Sequence, residues 1–273
     1  MRGIEYGPSY APVLPKAQGF NTIVVDHATQ EQLISKYSQW NVPTDLIERV
    51  DIVLSDDEPI EVQLQSELNG IDYILASHVF EHLPNPMRFL EVSYQLLRPG
   101  GILRLAIPDK RFCFDALKPL TTAGGLIQAY VEDRKRHSLG QYFDALSLHC
   151  LKDGSLAFPG STGFDGFRLQ NDISDVYQKS ISLHQSEQYV DIHAWAFTPS
   201  SFKAIMNILE RSNLVSLALE EVASDGVYEF FVTLRKTANS HPVGSSYGEG
   251  MDQGTVLGEI IDSFKEEQAA RSN

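Results

Sequence analysis

The stretch IDYILASHVFEHLPNPMRFLEVSYQLLRPGGILRLAIPDKRFCFD, residues 71 to 115, decides the fold. Its first six residues form a short apolar run without alternation, which is typical of a buried parallel strand. A second apolar run covers residues 102 to 107. Between the two runs, apolar residues recur at helical spacing from 87 to 97, after a Pro-Asn-Pro start and before an Arg-Pro-Gly-Gly stop. The stretch therefore predicts a strand, a helix and a parallel strand whose ends share one edge of a sheet.

Polar side chains follow the carboxyl ends of both predicted strands. Ser77, His78, Glu81 and His82 come directly after the first strand, and Asp109 follows the second. Open α/β sheets bind their ligands just outside the carboxyl ends of their strands. The sequence therefore predicts a binding site at this edge.

The order of these features resembles class I methyltransferases that use S-adenosylmethionine. The resemblance rests on the acidic residue that opens the first strand, the Glu-His-Leu after it, the Leu-Leu-Arg-Pro-Gly-Gly turn and the strand ending in Pro-Asp. It implies an α/β fold with a Rossmann-like seven-stranded, mostly parallel sheet, an antiparallel terminal hairpin and S-adenosylmethionine as cofactor. From Glu5 to Leu234, including Asp-Lys-Arg-Phe and His-Ala-Trp-Ala-Phe-Thr-Pro, the chain is similar to methyltransferases associated with surface-polysaccharide biosynthesis. That similarity implies a sugar hydroxyl as the methyl acceptor.

The cofactor half of such a site is expected upstream in the chain. The resemblance places Gly7 in a loop where the backbone approaches the cofactor closely. Asp26 ends an apolar run and is placed to accept both ribose hydroxyls, although it could equally cap the following helix. Residues 50 to 54 predict a third strand, and Asp56 after it lies at the adenine edge or in a solvated turn. The predicted cofactor-binding residues are Glu5, Gly7, Asp26, Asp56, Ser77 and His78.

The glycine loop departs from the dinucleotide-binding pattern. Pro8, Ser9 and Tyr10 stand where further glycines often occur, so the loop does not cradle a pyrophosphate. The hairpin predicted from residues 215 to 222 and 227 to 234 also disfavours a dehydrogenase. Two alternatives stay open: a catalytically silent methyltransferase-like binding scaffold, favoured by the reduced glycine loop, and a less favoured NAD-dependent oxidoreductase.

An insertion separates the fifth strand from the end of the sheet. Residues 116 to 191 show no regular alternation of strand and helix; they predict two helices and then a turn-rich loop over 153 to 166. Because the insertion follows a strand tip, we expect a helical and loop lid that forms the acceptor pocket. The basic cluster of residues 134 to 137 attracts an anionic acceptor or is only a solvated helix face.

The reaction needs alignment of acceptor and methyl group, exclusion of water and, for a hydroxyl acceptor, a base. Histidine suits the last role because its pKa lies near the working pH. The predicted catalytic residues are His193, which follows the lid, His82 and Asp109; a structural role for either histidine is the alternative. Arg111 and Trp195 are predicted to contact the substrate.

Composition restricts the class of protein. The net charge of −14 argues against nucleic-acid binding, which needs a basic surface. No apolar run reaches the length of a membrane span and no charged-then-apolar leader opens the chain, so neither a membrane span nor a secretory signal is expected. The two cysteines lack disulfide and metal spacing, which predicts a cytoplasmic protein without a metal site.

The predicted domain organisation has two parts. Residues 1 to 237 form the methyltransferase domain, which includes the lid insertion. Residues 238 to 273 form a flexible linker followed by a short amphipathic helix. This helix docks on its own domain or on a partner, and a homo-oligomer through it is one expectation.

Overall fold

A computed structural model describes residues 1–55, 58–161, 163–186, 189–237 and 253–271 of the protein. Asp56 and the predicted linker at 238 to 252 lie outside the described residues. The strands are β1 Gly3–Tyr6, β2 Thr22–Asp26, β3 Ile52–Val53, β4 Ile71–Ser77, β5 Leu97–Pro108, β6 Cys150–Lys152, β7 Phe167–Leu169, β8 Ala218–Ser224 and β9 Glu229–Arg235. The helices are α1 Gln30–Tyr37, α2 Ile60–Gln63, α3 Pro86–Leu96, α4 Ala123–Val131, α5 Leu139–Ser147, α6 Ile173–Gln185, α7 Pro199–Arg211 and α8 Gln253–Arg271.

Seven strands form one sheet in the order β3-β2-β1-β4-β5-β9-β8. The pairs from β3 to β5 are parallel, whereas β9 runs antiparallel to both β5 and β8. This confirms the predicted fold class, a mostly parallel seven-stranded sheet that ends in an antiparallel hairpin. The third strand is shorter than predicted, with only two residues instead of five.

The Pro-Gly-Gly turn brings two backbones into close contact where β5 begins. A Cβ at Gly101 would lie 2.9 Å from the Arg98 carbonyl oxygen and 3.0 Å from that of Ile71. Only a residue without a side chain allows this approach. The pairing of β4 with β5 shifts register at the same place, between Ile71 and Tyr73.

Local capping fixes where the helices begin. Thr29 accepts a hydrogen bond from the Gln32 backbone N–H and the Gln32 side chain accepts one in return, which forms a capping box at α1. The alternative role of Asp26 as the cap of this helix is therefore wrong. Asn85 caps α3, with Pro86 in its first turn. The apolar faces of α3 and α7 pack on the sheet and bury residues such as Leu90 and Phe202.

The insertion after β5 contains more regular structure than predicted. The two predicted helices are α4 and α5. The strands β6 and β7 pair antiparallel across the turn-rich loop, and α6 follows them. Sequence analysis missed these three elements because the strands have only three residues each and α6 carries many polar residues.

The C-terminal helix α8 packs against α7 of its own chain with a polar face. Glu259 is buried there, with Oε1 3.1 Å from the Lys203 ammonium nitrogen, whereas Leu257 and Phe264 are exposed. The predicted homo-oligomer through this helix stays a prediction. Among the residues that the structure describes, no helix combines the length and the apolar character that a membrane crossing requires.

Candidate active site

The strand register brings three predicted site residues to one row of the sheet edge. Tyr6 of β1 pairs with Val25 of β2 and with Ala76 of β4. Gly7, Asp26 and Ser77 each follow directly after one of these residues. Side chains and backbone groups that lie far apart in sequence therefore meet at the carboxyl ends of the central strands.

Gly7 has a backbone conformation and surroundings that favour glycine. Its φ is +61°, and its N–H donates a hydrogen bond of 2.8 Å to the Val25 carbonyl oxygen. A Cβ at this position would lie 2.8 Å from Cγ2 of Val79. Val79 thus occupies the space that a side chain at position 7 would need.

Glu5 organises the loop that follows β1. Its buried carboxylate accepts hydrogen bonds from the backbone N–H groups of Val13 at 2.7 Å and Leu14 at 3.1 Å. Burial raises the pKa of Glu5, an effect that these two bonds partly offset. The predicted cofactor residue is therefore held by the protein's own backbone.

Asp26 is buried at the tip of β2, and its carboxylate uses only part of its hydrogen-bonding capacity. Oδ1 accepts from the His27 backbone N–H at 2.7 Å and lies 2.6 Å from the His27 ring nitrogen Nδ1. Oδ2 accepts only one long hydrogen bond, from the Ser9 N–H at 3.3 Å. Because a carboxylate oxygen can accept two hydrogen bonds, Oδ2 has capacity for another donor.

His78 follows Ser77 in the left-handed conformation, with φ +52°. Its Nε2 lies 2.7 Å from Glu229 Oε2, and its ring stacks on Tyr228. Burial lowers the pKa of this histidine, but the hydrogen bond to Glu229 and the nearby charges of Glu229 and Glu81 outweigh burial and raise the pKa to about 9. His78 is therefore a cation at neutral pH.

Two predicted residues, Asp109 and Arg111, bind each other. The Arg111 Nε donates to Oδ1 of Asp109 at 2.9 Å, and its Nη2 donates to Oδ2 at 2.5 Å. Burial raises the pKa of Asp109 although Arg111 opposes this shift. The pair is bidentate, so the carboxylate of Asp109 is engaged by its neighbour.

His193 is held by a buried ion pair. Its Nδ1 lies 2.6 Å from Oδ2 of Asp115, whose Oδ1 lies 2.6 Å from the Lys118 ammonium nitrogen. Lys118 also donates to the His193 carbonyl oxygen at 2.7 Å. Burial opposes ionisation of Asp115, but the charges of His193 and Lys118 hold its pKa well below the usual range. This leaves Nε2 of His193 as the nitrogen available to a ligand.

His82 is held in the same way from the opposite side. Its Nδ1 lies 2.7 Å from Oδ1 of Asp191, and the Tyr189 hydroxyl donates to the His82 carbonyl oxygen at 3.0 Å. Its ring meets the His193 ring edge to face at 4.4 Å between centroids. The structure thus brings together the two histidines that the sequence predicted as base candidates.

Glu81 lies beside both histidines and is almost completely buried, with 1 % exposed. Within the part of the chain that the structure describes, neither carboxylate oxygen has a hydrogen-bond partner. The Ala194 N–H donates to the Glu81 carbonyl oxygen at 2.8 Å, which ties the segment of His193 to the turn after β4. Sequence analysis placed Glu81 in the polar cluster after β4 but did not assign it a role, and it missed Asp115 and Asp191. A signal for Asp115 existed, since this residue ends the stretch that decides the fold.

Trp195 requires a correction. Its ring belongs to the hydrophobic core and is 6 % exposed, and its Nε1 donates to the Leu83 carbonyl oxygen at 2.7 Å. A side chain that is buried and satisfied in this way fixes the segment after the lid. The predicted contact of Trp195 with a substrate is therefore not supported by its placement.

Comparison with known proteins gives the family. A family model described as a methyltransferase domain matches residues 1–152, more than half of the chain. A search of curated proteins found no match. Solved structures similar to this chain include an S-adenosylmethionine-dependent methyltransferase from Aquifex aeolicus, with 13% identity over 87% of this chain and 82% of that one and a TM-score of 0.40. Another is the CcbJ methyltransferase from Streptomyces caelestis, with 13% identity over 87% and 84% and a TM-score of 0.43.

The match favours the methyltransferase over the NAD-dependent oxidoreductase that the sequence left open. The protein is an enzyme that uses S-adenosylmethionine. The chain belongs to the methyltransferase domain family.

Proposed function

We propose that the enzyme methylates a hydroxyl group of a small acceptor, with sugars of the kind used in surface polysaccharides as the leading class. The observation that supports this proposal is the cluster of Glu81, His82 and His193 on the same sheet edge as Gly7 and Asp26. Each histidine is held at Nδ1 by an aspartate, which leaves Nε2 to meet an acceptor. A buried aspartate that orients a histidine is a recurring arrangement in general-base catalysis.

The cofactor residues fit a nucleoside with a sulfonium side chain. Gly7 is proposed to let the loop backbone approach the cofactor, Oδ2 of Asp26 can accept from a ribose hydroxyl, and Glu5 holds the adjoining loop. Ser77 and His78 are proposed to face the methionine end, since they follow the next strand of the sheet. S-adenosylmethionine, when bound, supplies an electrophilic methyl group.

His193 is the proposed general base. Its Nε2 would take the proton of the acceptor hydroxyl, and the carboxylate of Asp115 would stabilise the resulting imidazolium. His82 is the second candidate base. Asp109 is proposed to position Arg111 rather than to take a proton, because the two side chains form a bidentate pair. Arg111 remains a proposed acceptor contact.

A cavity in the lid supports an anionic acceptor. It measures about 220 Å³ and includes Arg134, Arg136 and His137 in its lining. The His137 ring lies 5.5 Å from that of Tyr189, whose hydroxyl bonds to His82. Arg134 donates a hydrogen bond to the Glu132 carboxylate, and Arg136 donates one to the Ser186 carbonyl oxygen. A phosphorylated or uronic sugar would compete with these two groups for the arginines.

The test is incubation with isotopically labelled S-adenosylmethionine and a panel of neutral, phosphorylated and uronic sugars, followed by mass spectrometry. The expected product carries one labelled methyl group on oxygen. Substitution His193→Gln should lower turnover without changing affinity for S-adenosylhomocysteine. Methylation of amines or thiols alone would contradict the acceptor class, and full turnover in His193→Gln would remove the proposed base.

A cytoplasmic location is proposed as well. Cys113 and Cys150 are both free thiols buried in the structure, which suits a reducing compartment. Fractionation of cells that produce the native protein, with detection by antibody, tests this location.

A further inference from the structure

We propose that Glu81, His82 and His193 form a binding site for a divalent first-row transition-metal cation. One ligand atom from each side chain lies within 4.8 Å of those of the other two. Two imidazole nitrogens and one carboxylate oxygen suit zinc, iron or nickel. With bonds of about 2.1 Å in a tetrahedral site, ligand atoms lie about 3.4 Å apart. The widest separation must therefore close by up to about 1.4 Å, through side-chain rotation, to complete the site.

The carboxylate of Glu81 supplies the independent reason to expect a cation. It is 1 % exposed, and neither oxygen has a hydrogen-bond partner. Oε1 lies 3.6 Å from His78 Nδ1 and 3.8 Å from His82 Nε2, and both distances are longer than a hydrogen bond. The His78 cation at 3.6 Å offsets part of the cost of burying this carboxylate. A metal ion bound between the carboxylate and the two histidines would supply the direct contact that its oxygens lack.

The two histidines are already oriented as metal ligands. Asp115 engages Nδ1 of His193 at 2.6 Å, and Asp191 engages Nδ1 of His82 at 2.7 Å. Metal-binding histidines typically donate their second ring N–H to a carboxylate, which fixes the tautomer and the ring orientation. Each ring therefore has Nε2 available for the ion.

The site is accessible and has room for further ligands. The side chain of Asp191 is 52% exposed and that of His82 is 24% exposed, so an ion can reach the cluster from solvent. Three protein ligands leave at least one coordination position for water or for an oxygen of the acceptor. Any role of the ion in methylation rests on the proposed function, and an ion bound to Nε2 of His193 would exclude that nitrogen from acting as the base.

Metal binding is tested on tag-free full-length protein after treatment with EDTA and dialysis. Calorimetric titration with Zn²⁺ should show one ion per chain, and Co²⁺ should give a visible absorption band that Zn²⁺ removes. Substitution Glu81→Gln, which keeps the side-chain shape, should weaken Zn²⁺ binding at least 100-fold. The variant His184→Gln, in the lid and outside the cluster, should bind as the wild type does. Absence of binding, or equal binding by Glu81→Gln, would overturn the proposal.

A second variant tests the outer hydrogen bonds. Asp191→Asn should weaken Zn²⁺ binding about 10–100-fold, because it removes the carboxylate that orients His82. Circular dichroism and affinity for S-adenosylhomocysteine should match the wild type in both variants, which confirms their folding. Zn²⁺ binding without any effect of EDTA on methylation would leave the ion site standing and reject its catalytic role. Loss of cofactor binding with intact Zn²⁺ binding would instead count against the proposed function.

Discussion

The two halves of the sheet edge differ in how their buried charges are satisfied. At the tips of β1 and β2, Glu5 and Asp26 accept hydrogen bonds from backbone N–H groups of the following loops. Beyond β4, the carboxylate of Glu81 has no hydrogen-bond partner, and His82 and His193 are held at one nitrogen only. The first half is thus shaped by the chain itself, whereas we propose that a ligand completes the second half.

The largest effect is expected at the first half. Substitution Asp26→Ala removes the acceptor for the ribose hydroxyls, and each hydrogen bond to a charged group is worth about 1.5–3 kcal/mol. One such bond, to Oδ2, predicts a loss of affinity for S-adenosylhomocysteine of about 10–150-fold. Calorimetric titration measures it. The exposed Asp45 provides the control, since Asp45→Ala should leave the affinity unchanged; equal affinity in both variants would exclude Asp26 from the cofactor site.

Acid should destabilise the protein through His137, which lines the cavity proposed to bind the acceptor. His137 is buried, and burial lowers its pKa to about 4. The fold favours the neutral ring, so this stability is fully present above the unfolded pKa near 6.5 and is lost as the pH falls towards 4. For His137→Phe, we compare the free energy of unfolding of the variant with that of the wild type. This difference should shift in favour of the variant by about 2–3 kcal/mol between pH 7.5 and pH 4.5. Urea unfolding at the two pH values measures this, and parallel pH profiles would contradict it.

The close approach at Gly7 predicts a smaller effect. Gly7→Ala combines a left-handed backbone, which costs about 1–2 kcal/mol for other residues, with a contact of 2.8 Å to Val79. Gly19→Ala is the matched control, because Gly19 also has a positive φ but nothing lies within 4 Å of its Cβ position. Thermal unfolding should therefore show the larger loss for Gly7→Ala, and Val79→Ala should restore part of it. Equal losses would mean that the space above Gly7 is not tight.

The smallest effect concerns His78, between the two halves. Its pKa is raised to about 9 by Glu229 and Glu81 against the opposing effect of burial. The resulting stability is fully present below the unfolded pKa near 6.5 and is lost as the pH rises through about 9. His78→Gln should therefore flatten the alkaline limb of the stability profile, by a modest amount because the ring is partly exposed to solvent. An unchanged limb above pH 8 in urea unfolding would show that the Glu229 contact adds no stability.

The two halves also differ in how well they could be predicted from the sequence. The strands, the terminal hairpin and the positions of Gly7 and Asp26 follow from local patterns, namely apolar runs that end in a glycine loop or an aspartate. The burial of Trp195 could not be predicted, since it depends on how the segment after the lid packs on the Leu83 backbone. The pair of Asp109 and Arg111 is local, but the sequence shows only that the two residues are neighbours and not that they bind each other.

The acceptor half depends even more on distant contacts. His82 and His193 meet because a backbone hydrogen bond joins Ala194 to Glu81. The sequence shows the three residue types but gives no reason to place them together. The expectation of no metal considered cysteine spacing, which carries no information about a cluster of two histidines and a glutamate assembled from separate segments.

Calorimetric titration of three proteins with two ligands tests whether the two halves of the sheet edge bind different ligands. The half with Asp26 is proposed to bind the cofactor, and the half with Glu81 is proposed to bind a metal ion. Wild type, Asp26→Ala and Glu81→Gln are each titrated with S-adenosylhomocysteine and with Zn²⁺. We expect Asp26→Ala to lose only S-adenosylhomocysteine binding and Glu81→Gln to lose only Zn²⁺ binding. Failure of the wild type to bind S-adenosylhomocysteine, or loss of both ligands in both variants, would contradict it.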